Sequence, residues 1–139
     1  MKLRVFVGLC LLGGASLSFA KMPPKPETCP SLSALKGQAF FMAQKPQEAP
    51  GFVAISLGRY QTKDNWAFLM AFIEADTMLQ AIMTANHYLP NISGAPAPMP
   101  IEEQNIWACI YDVDGTPYKA VAVTPLSDSS KAARIMKRI

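Results

Sequence analysis

Phe52-Val-Ala-Ile-Ser-Leu-Gly-Arg-Tyr60 and Trp66-Ala-Phe-Leu-Met-Ala-Phe-Ile-Glu-Ala75 are the two segments on which the fold turns. Both are rich in aromatic and apolar residues, and turn formers bound them: Pro50-Gly51 before the first, Lys63-Asp64-Asn65 between the two. That combination reads as a pair of antiparallel strands. Working backwards, Gln38–Gln44 has the same character and is set off by Lys45-Pro46, so a third strand completes a meander. Along Phe52–Tyr60 the small residues Ala54, Ser56 and Gly58 alternate with Val53, Ile55 and Leu57. Along Trp66–Ala75, Ala67 and Ala71 alternate with Phe68, Met70 and Phe72. Together with Ala108, Ala120 and Ala122, this alternation predicts one shallow sheet face and one bulky face. The bulky face then needs a cover: the N-terminal helix, a second molecule or a ligand.

Working forwards, Asp76 or Thr77 starts the one long helix, which ends near Leu89 before Pro90. At about 100° per residue, Met78, Leu79, Ile82, Met83 and Ala85 fall on one arc, and that arc is expected to lie on the shallow sheet face. Asn91–Pro100 is a proline-laden connection, long for a compact domain, and connections of this kind often carry function. Asn105–Val113 and Tyr118–Thr124 form a hairpin across Asp114-Gly115, the strongest short turn signal in the chain. Before the meander, Thr28 is placed to cap a short helix with Pro30 in its first turn and Gly37 at its end. The expected fold is α+β: an antiparallel sheet of about five strands, one main helix on one face, a short N-terminal helix and one disulfide.

The two ends of the chain differ from its body. Lys2 and Arg4 precede an apolar run from Val5 to Leu12, and small residues at Ser18 and Ala20 complete the pattern of a cleavable export signal over residues 1–20. The run is too short for a membrane anchor, which needs roughly 20 apolar residues. The mature chain is then expected to work in the periplasm or outside the cell. Residues 21–27 are a proline-rich arm, residues 28–125 a single α+β domain, and residues 126–139 a basic tail that reads either as a short helix or as disordered. Lys131, Arg134, Lys137 and Arg138 against Asp128 make that tail cationic.

Charge and cysteine usage narrow the function. The chain has 13 basic and 10 acidic residues; removing Lys2 and Arg4 with the leader leaves 11 against 10. That balance does not suggest a nucleic-acid binder. Cys10 leaves with the leader, and an even pair, Cys29 and Cys109, remains. In an exported chain the simplest reading is a disulfide; a metal pair or a reactive thiol lacks nearby His or Cys partners.

Most enzyme templates fail on the single histidine, His87. There is no Gly-x-Ser-x-Gly elbow, no His-x-x-x-His, no Cys-x-x-Cys and no phosphate-binding glycine loop. The carboxylate pairs Glu74/Asp76 and Glu102/Glu103 read as solvated element ends, and Asp112-Val113-Asp114-Gly115 as a turn rather than a calcium loop. A non-enzymatic protein without a metal site is therefore expected. His87 borders the apolar arc of the long helix, one turn after Met83 and next to Tyr88. Imidazole, thioether and phenol are all axial ligands of haem iron. A histidine at a helix C-terminus is also favoured electrostatically without any ligand.

Thr28-Cys29-Pro30-Ser31-Leu32, the apolar strands around Phe40-Phe41 and Phe52–Leu57, and the late strand Ile106-Trp107-Ala108-Cys109, behind an export signal, resemble a family of small exported bacterial proteins of unknown function. Some of its members are named haemin-binding proteins. The resemblance covers most of the mature chain and implies an exported, non-enzymatic protein for which haemin (haem) is the most specific ligand. The sequence reading therefore expects a secreted haemin-binding protein with His87, Tyr88 and Met83 at the site and Cys29 paired with Cys109. Its alternative is an interaction module for a protein or a surface, acting through the bulky sheet face or the basic tail. Partner identity and oligomeric state are left open.

Overall fold

Among the described residues, every strand pairs antiparallel, in one sheet of seven. The computed structural model describes residues 21–126 and 129–138; the expected leader, residues 1–20, lies outside them. The meander is present in the expected order as β1 (Met42–Gln44), β2 (Phe52–Gly58) and β3 (Trp66–Ile73). Beyond β3 lie β7 (Lys119–Thr124) and β6 (Ile106–Val113), the expected hairpin, with Asp112 opposite Lys119 and Gly115 at φ 76° in the turn. A residue at such a φ favours glycine.

The sheet has two strands more than expected. Ile92–Ser93 (β4) and Met99–Ile101 (β5) both pair with the outer edge of β6. They fall inside the proline-laden connection, and Pro100 sits in β5, at an edge where a missing N–H is tolerated. Residues 94–98 arch between them, with Gly94 at φ 114°.

Strand β2 stops at Gly58, short of Tyr60. Tyr60 and Gln61 take φ 49° and 64°, and Thr62 N–H donates to the Arg59 carbonyl, the signature of a type I′ turn. This turn points the Tyr60 phenol back at the sheet, where its hydroxyl donates to Ser56 Oγ at 2.7 Å. Burial pushes that phenol up from its ordinary range, partly offset by the Ser56 hydrogen bond.

Neither sheet face is shallow and neither is bulky. Ala54 stands opposite Met70, Ser56 opposite Phe68 and Gly58 opposite Trp66, so small residues of β2 are neighbours of large residues of β3 on one face. On the other face, Ile55 stands opposite Leu69, and Val121 and Val123 of β7 flank Ala67, Leu69 and Ala71. On the first face, large and small side chains alternate between adjacent strands and level the surface, whereas the second is built mostly of aliphatic residues.

Both faces are covered. The first core, around Phe68, Met70 and Trp66, takes Leu35 from α1 (Leu32–Lys36) and Ala81 and Ala85 from α2 (Met78–Tyr88). Ser31, not Thr28, caps α1, its Oγ accepting from Ala34 N–H, because the helix begins at Leu32 and Ser31 is still extended chain. The second core takes Ile135 and Met136 from α3 (Ser129–Arg138), so the basic C-terminal segment is the cover that the sequence reading sought elsewhere. Among the described residues, a third helix on the second face joins the expected main helix and short N-terminal helix.

The N-terminal arm is extended and tied down. Successive first-face residues of β6 grip it: Trp107 Nε1 donates to the Pro23 carbonyl at 2.9 Å, Cys109 is bonded to Cys29, and the Tyr111 hydroxyl donates to the Pro30 carbonyl. Tyr111 is buried, and burial raises its phenol well above the ordinary value of 10.0.

Candidate functional site

Helix α2 begins with Thr77, whose hydroxyl accepts from Gln80 N–H at 3.1 Å, while the Gln80 side chain reaches back to Asp76 N–H at 2.8 Å. These bonds satisfy donors that a helix N-terminus leaves open. The helix ends where Leu89-Pro90-Asn91 tightens into a 3₁₀ turn.

The rotation of α2 about its axis departs from the expectation. Ala81 and Ala85 face the sheet and are fully buried, with Leu89 below them. Asn86 fixes the same orientation: its side chain accepts from Phe40 N–H at 2.7 Å and donates to the Phe40 carbonyl at 3.0 Å. This amide acts as a bonding partner just before edge strand β1. Leu79 lies about 200° around the helix from Ala81 at the ordinary helical step. Leu79 and Met83, on the expected inner arc, are therefore exposed, at 65 and 64%; Met78, at the first turn of the helix, is exposed too, while Ile82 of the same arc packs half-buried against the first core. Alanine faces inward because it lets the helix backbone approach the sheet, where a leucine or methionine would hold it off.

His87 is exposed and continues the Leu79–Met83 stripe by one more turn. The three border an open groove of about 420 Å³ completed by Gln80, Thr84 and Tyr88. Tyr88 is half-buried, and its ring stands edge-on to His87 at 4.8 Å and to Tyr118 at 5.7 Å. All three sequence-derived ligand candidates thus line one groove. Met83 and His87 share its outward stripe, whereas Tyr88 braces the imidazole from the side.

A second groove, of about 500 Å³, lies between Thr28–Leu32 and the arch at residues 94–98. Prolines and alanines make up five of its eleven lining residues, and it offers no imidazole or thioether. Sequence reasoning did not pair these segments, although the Cys29–Cys109 bridge that draws the arm onto β6 was readable. The carboxylates of Glu74, Asp76, Glu102 and Glu103 are exposed, Asp112 pairs with Lys119 at 3.0 Å, and Asp114 Oδ1 accepts from Ser93 Oγ at 2.8 Å. Among the described residues no three His, Cys, Asp or Glu side chains gather to hold a metal ion. No helix among them is long and apolar enough to cross a membrane.

These features define a class: a disulfide-stapled α+β domain with one antiparallel sheet covered on both faces and a helix that turns large apolar side chains outward. The chain belongs to the family described as a domain of unknown function, DUF4949, whose model matches residues 28–137. No curated protein and no solved structure matches the chain.

Proposed function

We propose that this is an exported, non-enzymatic binding protein whose ligand is haemin, taken up on the outward stripe of α2. The observation that carries the reading is the Leu79–Met83–His87 stripe itself: large apolar side chains with no place in either core, ending at the only histidine of the chain. A flat macrocycle needs apolar contact for its ring and one Lewis base for its iron. Leu79 and Met83 supply the first and the His87 imidazole the second. The residues fit such a group without rearrangement of the core, because the stripe makes no contact that folding requires. Bound there, haemin would supply an iron for the His87 imidazole to hold, with Leu79 and Met83 orienting the ring. Export is supported by the composition of residues 1–20, and the Cys29–Cys109 bridge is compatible with an oxidising compartment.

The test is a haemin titration of the oxidised chain lacking residues 1–20, read at the Soret band. Saturable uptake with a red-shifted band is expected, with affinity falling at least about tenfold in His87→Ala, the loss of one coordinate bond being worth more than 1.4 kcal/mol. Uptake that does not saturate, or a band unchanged by His87→Ala together with Met83→Ala, rules the site out. The same exposed stripe also suits the alternative, docking of a protein partner, since exposed apolar patches mark interaction surfaces.

A further inference from the structure

Helix α3 carries a charge pattern that the rest of the chain lacks. Its ten residues include Lys131, Arg134, Lys137 and Arg138 and no acid, whereas the remainder of residues 21–139 holds seven basic and ten acidic side chains. The molecule is therefore electrically two-ended, although its net charge is close to zero. At the ordinary helical step, Arg134 and Lys137 lie about 60° apart, on the side of the helix opposite Ile135 and Met136, the pair that enters the second core. Both cations are exposed. Lys137 Nζ donates to the Glu48 carbonyl at 3.4 Å, a neutral acceptor that does not cancel its charge.

Apolar side chains stand beside this cationic face. Leu57 is 39% exposed and shares a cross-strand row with Ala67 and Val123 of the second core. From that end of the sheet the chain leaves β7 through Leu126, 51% exposed, on its way to α3. We propose that α3 and these two leucines form the face by which the chain lies on an anionic phospholipid bilayer, peripherally and without crossing it. Phosphate headgroups attract the cations, and the leucines reach the hydrocarbon boundary beneath them. A nucleic-acid backbone or an acidic peptide segment supplies the charge without a continuous apolar layer. The acidic excess elsewhere is repelled by the same surface, so the charge separation also sets the orientation of the bound chain. None of this depends on the haemin reading: α2 packs on the first sheet face and α3 on the second.

The experiment is co-sedimentation of the oxidised chain, without residues 1–20, with vesicles of phosphatidylcholine alone and of an equal mixture with phosphatidylglycerol. Binding to the mixed vesicles only is expected, weakening about tenfold or more between about 0.05 M and about 0.5 M salt as screening shortens the reach of the charges. Arg134→Ser with Lys137→Ser should weaken it about 25-fold, each cation near such a surface being worth about fivefold. Leu126→Ser should weaken it severalfold. Lys25→Ser with Lys36→Ser removes the same charge from exposed positions on the arm and α1, on the first-face side, and should leave binding within about twofold. Near-ultraviolet circular dichroism checks that the variants keep the native fold. Equal binding to neutral vesicles, equal loss in the two double variants, or no binding to either vesicle overturns the proposal. Uptake by polyglutamate but not by mixed vesicles overturns it too and assigns the face to an acidic protein.

Discussion

Tyr111 shows how much one side chain contributes to holding the arm. It lies two residues beyond Cys109 on the same face of β6, fully buried, and its hydroxyl donates to the carbonyl of Pro30, next to the bridged Cys29. Replacing it by Phe leaves a buried carbonyl without its donor, which costs about 1–3 kcal/mol. Alkaline pH offers an independent check. The phenol is raised above 10.0 in the folded chain by burial, so the folded state holds its proton more tightly than the unfolded one. The stability this supplies is complete below pH 10.0 and is lost as pH rises from there toward the folded value. Thermal midpoints compared at about pH 9 and about pH 11 should fall, and fall less in Tyr111→Phe. Equal slopes in the two proteins would mean that Tyr111 is not the group responsible. Cys109 was legible from cysteine counting; Trp107 and Tyr111 were not, although their spacing of two on either side places all three on one face.

The element whose orientation matters most is α2, and its rotation makes a sharp prediction. Ala81→Leu or Ala85→Leu forces bulk between the helix and the sheet and should destabilise by about 1–3 kcal/mol. Leu79→Ala and Met83→Ala remove exposed atoms and should stay within about 0.5 kcal/mol of the parent. Urea midpoints of the four variants decide it, and the opposite ranking would restore the orientation read from the sequence. The boundaries of α2 were legible, since Thr77 and Pro90 punctuate it, but its inner face was not. Periodicity ranks a face by the size and apolarity of its side chains, whereas packing here rewards the smallest ones. The Asn86–Phe40 amide pairing, which fixes the same rotation, links residues 46 positions apart and leaves no local trace. The strand alternation misled in a related way: each strand was read correctly by itself, but which faces coincide depends on register. Ala54 opposite Met70 is a fact about pairing, not about either strand. For the same reason His87, Met83 and Tyr88 were nameable as neighbours, while the exposure of the stripe they border was not.

At the scale of the whole molecule, one sheet is closed from two sides by the two ends of the described chain. The arm at residues 23–30 is clasped to β6 on the first face, and α3 brings Ile135 and Met136 onto the second. The two closures should fail differently. Ile135→Ala or Met136→Ala removes buried contacts from the folded state, at about 2–5 kcal/mol each. The Cys29–Cys109 bridge spans a sequence separation of 80, and losing it acts mainly by freeing the unfolded chain, at up to about 4–5 kcal/mol on the loop-closure estimate. Because Trp107 and Tyr111 still hold the arm, the chain with both Cys29→Ser and Cys109→Ser should keep its native near-ultraviolet circular dichroism while its urea midpoint drops. If the native signal is lost with the bridge, the two hydrogen bonds do not suffice to hold the arm, and the disulfide is what positions it on β6.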